Sequence, residues 1–173
     1  MFERSIKQKV LSSFKKFPII GICGPRQSGK TTLVKQIFKN LHYINLEDPS
    51  LRMMIQKDPK SFLDNHQKGL IIDEIQYIPE LFSYLQLYSD AREKPGQYVI
   101  TGSQYFLLNE KISQSLAGRI SIFNLLPLSY SEIKKHLSKK LNVYDFIFKG
   151  FYPRLYKYKI DPYEFYSNYT SFR

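Results

Sequence analysis

Apolar positions along the chain follow two spacings, and the switches between them mark out its elements. Phe2, Ile6, Val10 and Phe14 recur every four residues. That spacing predicts an amphipathic helix over residues 1–16, packed on whatever follows. Phe17 to Cys23 is an uninterrupted apolar run, the mark of a strand buried on both faces. From Thr31 to Asn40 the spacing returns to helical, with Leu33/Ile37 and Val34/Phe38 on one side. His42–Leu46 alternates as a second strand, stopped by Glu47-Asp48-Pro49. Ser50 is expected to cap a helix from Leu51 to about Lys57, and Pro59 to open another reaching His66. Leu70–Glu74 reads as a third strand, and Pro79-Glu80 as the start of a helix carrying Leu81, Phe82, Leu85 and Leu87. Gln97–Thr101 is a fourth strand ending at Gly102-Ser103. A helix from Phe106 to Leu116 and a fifth strand, Ile120–Leu125, follow. Ser129-x-x-Glu132 is a capping box, after which the chain is Tyr-rich and helical, broken at Gly150–Pro153. Five strands alternating with helices predict an α/β fold, a parallel sheet covered on both faces.

One segment between the first strand and its helix carries chemistry. Gly24-Pro25-Arg26-Gln27-Ser28-Gly29-Lys30-Thr31 is G-x-x-x-x-G-K-[ST], the phosphate-binding loop. Its glycines permit a tight turn that aims N–H groups at phosphate oxygens. Lys30 supplies a charge for the β- and γ-phosphates, and the Thr31 hydroxyl is a Mg²⁺ ligand. Thr32 extends the cradle into the helix, whose N-terminus adds partial positive charge. Strand, glycine-rich loop and helix in that order are the context the motif requires.

A second constellation lies at Asp73-Glu74, at the end of the Leu70-Ile71-Ile72 run. A carboxylate there stands beside the phosphate loop, so Asp73 is expected to hold Mg²⁺ and its water. Glu74 is placed to polarise an attacking water. Small phosphate-loop kinases do not need that second acid. Thr101 and Ser103, at the end of the fourth strand, are candidates for orienting the water, with an ordinary capped turn as the plain reading of the same residues. Arg119 is either a surface arginine or a finger on a γ-phosphate, in its own subunit or a neighbour's. Arg26 is read as a partner of phosphate or of Glu47 and Asp48, and Asn45 as a group that holds Glu74 back from water. His42, His66 and His136 have no ligand spacing, which argues against a metal centre built from side chains. The lone Cys23 excludes an internal disulfide and reads as a buried thiol.

Charge and composition bound the partners. The formal net charge is +11 and uneven: residues 1–40 carry nine basic side chains against one acidic, residues 41–110 six against ten, and residues 111–173 eleven against four. Basic ends leave two readings open, nucleic-acid contact and a solvated lysine-rich surface. No run approaches the length of a membrane span, and Met1–Lys9 has no apolar signal core, so the expectation is a soluble cytoplasmic protein without a membrane partner.

Taken in order, Gly24–Leu33, Tyr43–Asp48, Leu70–Gln76, Thr101–Gln104, Ser115–Arg119 and Leu126–Glu132 resemble the prokaryotic AAA+ ATPases whose N-terminal AAA domain precedes a DUF4143 domain. Gly150–Pro153 resembles that family's later Gly-Gly-Phe/Tyr-Pro segment. The resemblance implies an AAA+ sandwich over residues 17–128 with strand order 5-1-4-3-2. Residues 129–173 are then a helical tail that begins a missing C-terminal domain, and the chain is a truncated one. It further implies Mg-ATP binding and hydrolysis to ADP and phosphate, weak turnover where a neighbour's arginine is needed, and self-association. Three rival readings remain: a nucleotide-dependent DNA-binding or interaction module, a small phosphate-loop kinase, and an inert remnant destabilised by its exposed tail.

Overall fold

The computed structural model describes residues 2–102, 116–137 and 142–171. Within them the chain forms α1 (Lys7–Phe14), β1 (Ile19–Cys23), α2 (Lys30–Ile37), β2 (His42–Asn45), α3 (Pro49–Lys57), α4 (Pro59–Asp64), β3 (Leu70–Asp73), a 3₁₀ turn (Ile75–Tyr77), α5 (Leu81–Arg92), β4 (Tyr98–Gly102) and β5 (Ile120–Asn124). The tail adds α6 (Tyr130–His136), α7 (Val143–Lys149), α8 (Pro153–Lys157) and α9 (Pro162–Ser171). The sheet is parallel with order β2-β3-β4-β1-β5, the order the resemblance implied.

Period-two side-chain alternation splits the apolar runs between the two faces. Ile19, Cys23, Leu70, Ile72, Tyr98 and Ile100 pack with Ile55, Phe62, Leu63, Leu81, Phe82 and Leu85 of α3, α4 and α5. Ile20, Ile22, Ile71 and Val99 pack on the other face with Val10 of α1 and Leu33 and Val34 of α2. The central strands β1, β3 and β4 are therefore buried along their whole length. The tail gathers a separate cluster around Leu128, Ile133, Phe146, Leu155, Tyr156 and Phe165, with Phe2 packed against it. Among the described residues no helix is long and apolar enough to cross a membrane.

Element ends differ from the expected ones for local reasons. Asp48, not Ser50, caps α3: its Oδ1 accepts from the N–H of Ser50 at 2.9 Å and of Leu51 at 3.3 Å, with Pro49 at the first helical position. Asp58 caps α4 in the same way. The α2 helix starts at Lys30 and stops at Ile37, short of Asn40. The capping box forms as read, with Ser129 Oγ accepting from Glu132 N at 3.2 Å and Glu132 Oε2 accepting from Ser129 N at 2.9 Å. The helix expected from Phe106 and the end of the Thr101–Gln104 motif lie outside the described residues. Cys23 is 3% exposed, and burial, opposed by the nearby Lys30 charge, pushes its thiol up to about 12. That is the buried thiol expected from the sequence.

Candidate functional site

The loop after β1 leaves the carboxyl edge of the sheet between β1 and α2, next to the ends of β3 and β4. Two of its glycines are required by geometry. Gly24 has φ +149°, and a Cβ there would run into the Leu125 carbonyl. Gly29 has φ +98° and forms the left-handed cap of α2. Gln27 takes a left-handed conformation as well, at φ 63°, a backbone cost typical of functional loops. The first intrahelical bond of α2 runs from Leu33 N to Gly29 O at 2.9 Å. Helix geometry thus leaves the N–H groups of Lys30, Thr31 and Thr32 without helical acceptors, and nothing acidic occupies the first turn.

Lys30 is 6% exposed, and its Nζ donates to Gly24 O at 3.0 Å and Pro25 O at 3.1 Å. Burial lowers its pKa, an effect opposed by the charges of Glu74 and Asp73. The ammonium is folded back on its own loop.

Asp73, 2% exposed, is the most heavily bonded side chain of the site. Its Oδ2 accepts from Thr31 Oγ1 and from Tyr43 OH, each at 2.7 Å, and its Oδ1 accepts from Thr101 Oγ1. The two residues read as metal ligands are thus in direct contact. A hydroxyl and a carboxylate, joined by phosphate oxygens and water, are the hard oxygen set that Mg²⁺ prefers, so these residues fit that ion. Among the described residues there is no cluster of three or more His, Cys, Asp or Glu side chains that could hold a metal ion.

Tyr43 was not singled out by sequence. It lies on β2 opposite Ile71, and only the strand register brings its ring under Asp73. Burial and the hydrogen bond to Asp73 raise its pKa, which keeps the phenol a donor. Lys35 Nζ sits 3.6 Å from the ring centroid. Tyr43→Phe removes one of three donors from a buried carboxylate, so it is expected to cost about 1–2 kcal/mol of stability. Urea unfolding checks this, and an unchanged midpoint would rule out the phenol as a structural partner of Asp73.

Glu74 lies just beyond β3 instead of ending it, in a left-handed conformation at φ 57°. Its N–H donates to Thr101 Oγ1 at 3.3 Å, and its Oε2 accepts from Gln76 Nε2 at 2.5 Å. Asn45 does not hold Glu74. Its side chain closes a local turn with Glu47, donating to Oε2 at 3.2 Å and accepting from the backbone N–H at 3.1 Å. The holding group is Gln76, two residues on, because the turn at Glu74 swings the carboxylate over the 3₁₀ turn. Thr101 is fully buried, with its hydroxyl taken up between Asp73 and the Glu74 backbone. Its hydroxyl thus ties the two acids together, donating to Asp73 and accepting from the Glu74 N–H. Ser103 lies outside the described residues.

The structure separates the two candidate arginines. Arg119 O accepts from Ile19 N at the start of β1, a five-residue strand, roughly 16 Å, from the phosphate loop. Its guanidinium pairs with Asp90, Nε to Oδ1 at 2.5 Å and Nη2 to Oδ2 at 2.8 Å. It does not reach the cleft of its own chain. Arg26 lines the cleft together with Glu47, but no ion pair joins it to Glu47 or Asp48; the ion pairs among the described residues are Arg4–Glu132 and Arg119–Asp90. The cleft, about 950 Å³, runs from Lys30 and Glu74 to Arg154 and Lys157 on α8, two cations that sequence reasoning left in the tail. A second cavity of about 350 Å³ lies on the other side of Gly29 and Thr32, walled by Phe2, Leu128, His136 and Tyr156.

Comparisons with known proteins converge on this architecture. The sequence profile of a family described as an AAA domain matches residues 16–134. Uncharacterized proteins Rv2008c of Mycobacterium tuberculosis and Mb2031c of Mycobacterium bovis are each 29% identical over 140 residues, which is 80% of this chain and 32% of theirs. The chain thus spans about a third of the length of these curated relatives. Among solved structures, the Walker-type ATPase PABY2304 of Pyrococcus abyssi aligns with a TM-score of 0.61 at 17% identity, over 88% of this chain and 65% of its own. DnaA of Aquifex aeolicus, solved with AMPPCP bound, aligns with a TM-score of 0.60 at 15% identity, over 89% of this chain and 57% of its own. At these identities the structural matches establish the fold.

Proposed function

The chain belongs to the AAA domain family, and from that footing we propose that it binds Mg-ATP and hydrolyses it to ADP and phosphate. The observation that carries the reading is the contact of Asp73 with Thr31 beside the buried Lys30, with Glu74 facing the same cleft. In this reading the amides of Gly24 to Thr32 and the Lys30 ammonium hold the β- and γ-phosphates. Thr31 and Asp73 position Mg²⁺, whose chemistry is to neutralise charge developing on the phosphate oxygens. Glu74 takes the proton of the attacking water once the Gln76 hydrogen bond is released or rearranged. Arg154 and Lys157 supply further positive charge to the outer end of the triphosphate. The apolar cavity walled by Phe2, Leu128, His136 and Tyr156, which shares Gly29 and Thr32 with the cleft, takes the base in this reading.

A gap of roughly 16 Å between Arg119 and the cleft means that an arginine finger from this residue would act only on a neighbouring copy. That version of the reading includes self-association. Placing the chain among ATPases with a following DUF4143 domain is also part of the proposal, supported by the order of the sequence motifs. Nucleic-acid contact is the second reading. It rests on the basic ends, and α8 turns two of the tail's cations toward the nucleotide cleft instead.

The test is titration with Mg-ATP, followed by phosphate release with and without EDTA. Saturable binding and EDTA-sensitive release are expected. A chain that binds neither ATP nor ADP would remove the reading, and phosphate transferred to an added acceptor instead of water would favour a kinase.

A further inference from the structure

Arg4 lies outside every motif, yet it is 8% exposed and anchored on several sides. Its Nη1 donates to Ser28 O at 2.8 Å, inside the phosphate loop. Nη2 donates to Leu126 O at 2.6 Å and Pro127 O at 3.2 Å, just past β5. Nε lies 3.2 Å from Glu132 Oε2. Glu132 is held in turn by the N–H groups of Ser5 at 2.7 Å and Ser129 at 2.9 Å. A guanidinium suits this task because its donors are fixed in a rigid plane, so that it bonds carbonyls on two segments while its charge faces Glu132.

The contact with Ser28 has a consequence for phosphate binding. A trans peptide directs the carbonyl of one residue and the N–H of the next to opposite sides. No cis peptide occurs among the described residues. Pinning the Ser28 carbonyl toward Arg4 therefore turns the Gly29 N–H the other way, toward the cleft that Gly29 lines. Gly29, with φ +98° and no Cβ, has little intrinsic preference to set that plane by itself. The loop needs an external hold, and its neighbour in space is the guanidinium, with Nη1 3.6 Å from where a Gly29 Cβ would stand.

We propose that Arg4 is a positioning residue of the nucleotide site: by holding the Ser28 carbonyl it orients the Ser28–Gly29 peptide for the phosphates, so that the segment before α1 is part of the phosphate cradle. This rests on the reading of the loop as a triphosphate site. It makes a distinctive statement, that the Arg4 effect falls on the phosphates and is shared by ATP, ADP and inorganic tripolyphosphate, which has no base to engage the second cavity.

The experiment measures Mg-tripolyphosphate and Mg-ATP affinity by calorimetry at a temperature where circular dichroism shows each variant folded. Arg4→Ala is expected to weaken both ligands by a similar factor, about tenfold or more. Val10→Ala, which opens a small cavity at the one buried position of α1, in the cluster with Leu33 and Val34, is expected to lower the unfolding midpoint but to keep both affinities within about twofold. Should Arg4→Ala not fold, Arg4→Lys carries the same comparison, because one ammonium cannot hold the Ser28 and Leu126 carbonyls and face Glu132 at once. Arg4 variants that bind tripolyphosphate as the parent does, or a Val10→Ala loss as large as theirs, would overturn the proposal. If the unaltered chain fails to bind tripolyphosphate and ATP alike, the reading of the loop itself is at fault.

Discussion

Lys30→Ala is expected to weaken Mg-ATP binding about a hundredfold or more, while the stability of the nucleotide-free chain changes by no more than about 1 kcal/mol. The two halves of that expectation have different causes. With phosphate present, the ammonium exchanges two loop carbonyls for anionic oxygens, and charge-assisted hydrogen bonds are worth about 1.5–3 kcal/mol each. Two of them correspond to roughly a hundredfold in affinity at the lower end of that range and about ten-thousandfold at the upper. Without phosphate, the ammonium is a cation at 6% exposure with neutral carbonyl partners at 3.0 and 3.1 Å. Burial already lowers its pKa, so the desolvation cost offsets what the two bonds contribute. Calorimetric titration and thermal unfolding of the empty chain check the two halves separately. An affinity within threefold of the parent would remove Lys30 from the phosphate site.

The second large effect concerns turnover. Glu74→Gln is expected to reduce ATP hydrolysis about a hundredfold or more and to leave nucleotide affinity within a few-fold. Glutamine preserves the size of the side chain and still offers an oxygen to Gln76 Nε2, so the turn at φ 57° and the bond from Glu74 N to Thr101 are retained. What is lost is the ability to take a proton from water. Single-turnover hydrolysis of bound ATP separates this from slow product release. Hydrolysis at the parent rate would assign the base elsewhere, whereas loss of binding would mean that Glu74 serves the phosphates and not the water. Comparison with Tyr43→Phe is informative, because that change reaches Asp73 from below and disturbs stability without touching the base.

Asp73 and Glu74 show how much of the site was legible in sequence and where legibility stopped. The apolar run Leu70–Ile72 followed by two acids, forty residues after a phosphate loop, located both carboxylates. Their surroundings were not legible. Asn45 was read as the group holding Glu74, since a strand-end amide beside a strand-end acid is a reasonable pairing. A left-handed turn at Glu74 carries the carboxylate to Gln76 instead. Thr101, which the sequence offers with Ser103 as a candidate for orienting water, also bonds Asp73 and the Glu74 backbone, contacts that its place at a strand end does not announce. Arg119 stands next to a strand in sequence, but parallel strand direction puts it at the far edge of the sheet from the loop.

Sequence by itself determined the parts whose physics is local. A phosphate loop needs eight consecutive residues, a buried parallel strand a short apolar run, and a capping box four positions, and all of these were present to be read. The parallel α/β class follows from their alternation. Tertiary structure alone decided the contacts made across long stretches of chain: Tyr43 on Asp73, Arg4 on Ser28 and Glu132, and Arg154 and Lys157 on the cleft that holds Lys30. The reason is geometric. Strand register, the direction of a strand and the packing of the tail over the loop fix which side chains meet, and none of these is written in the spacing of residues along a single segment.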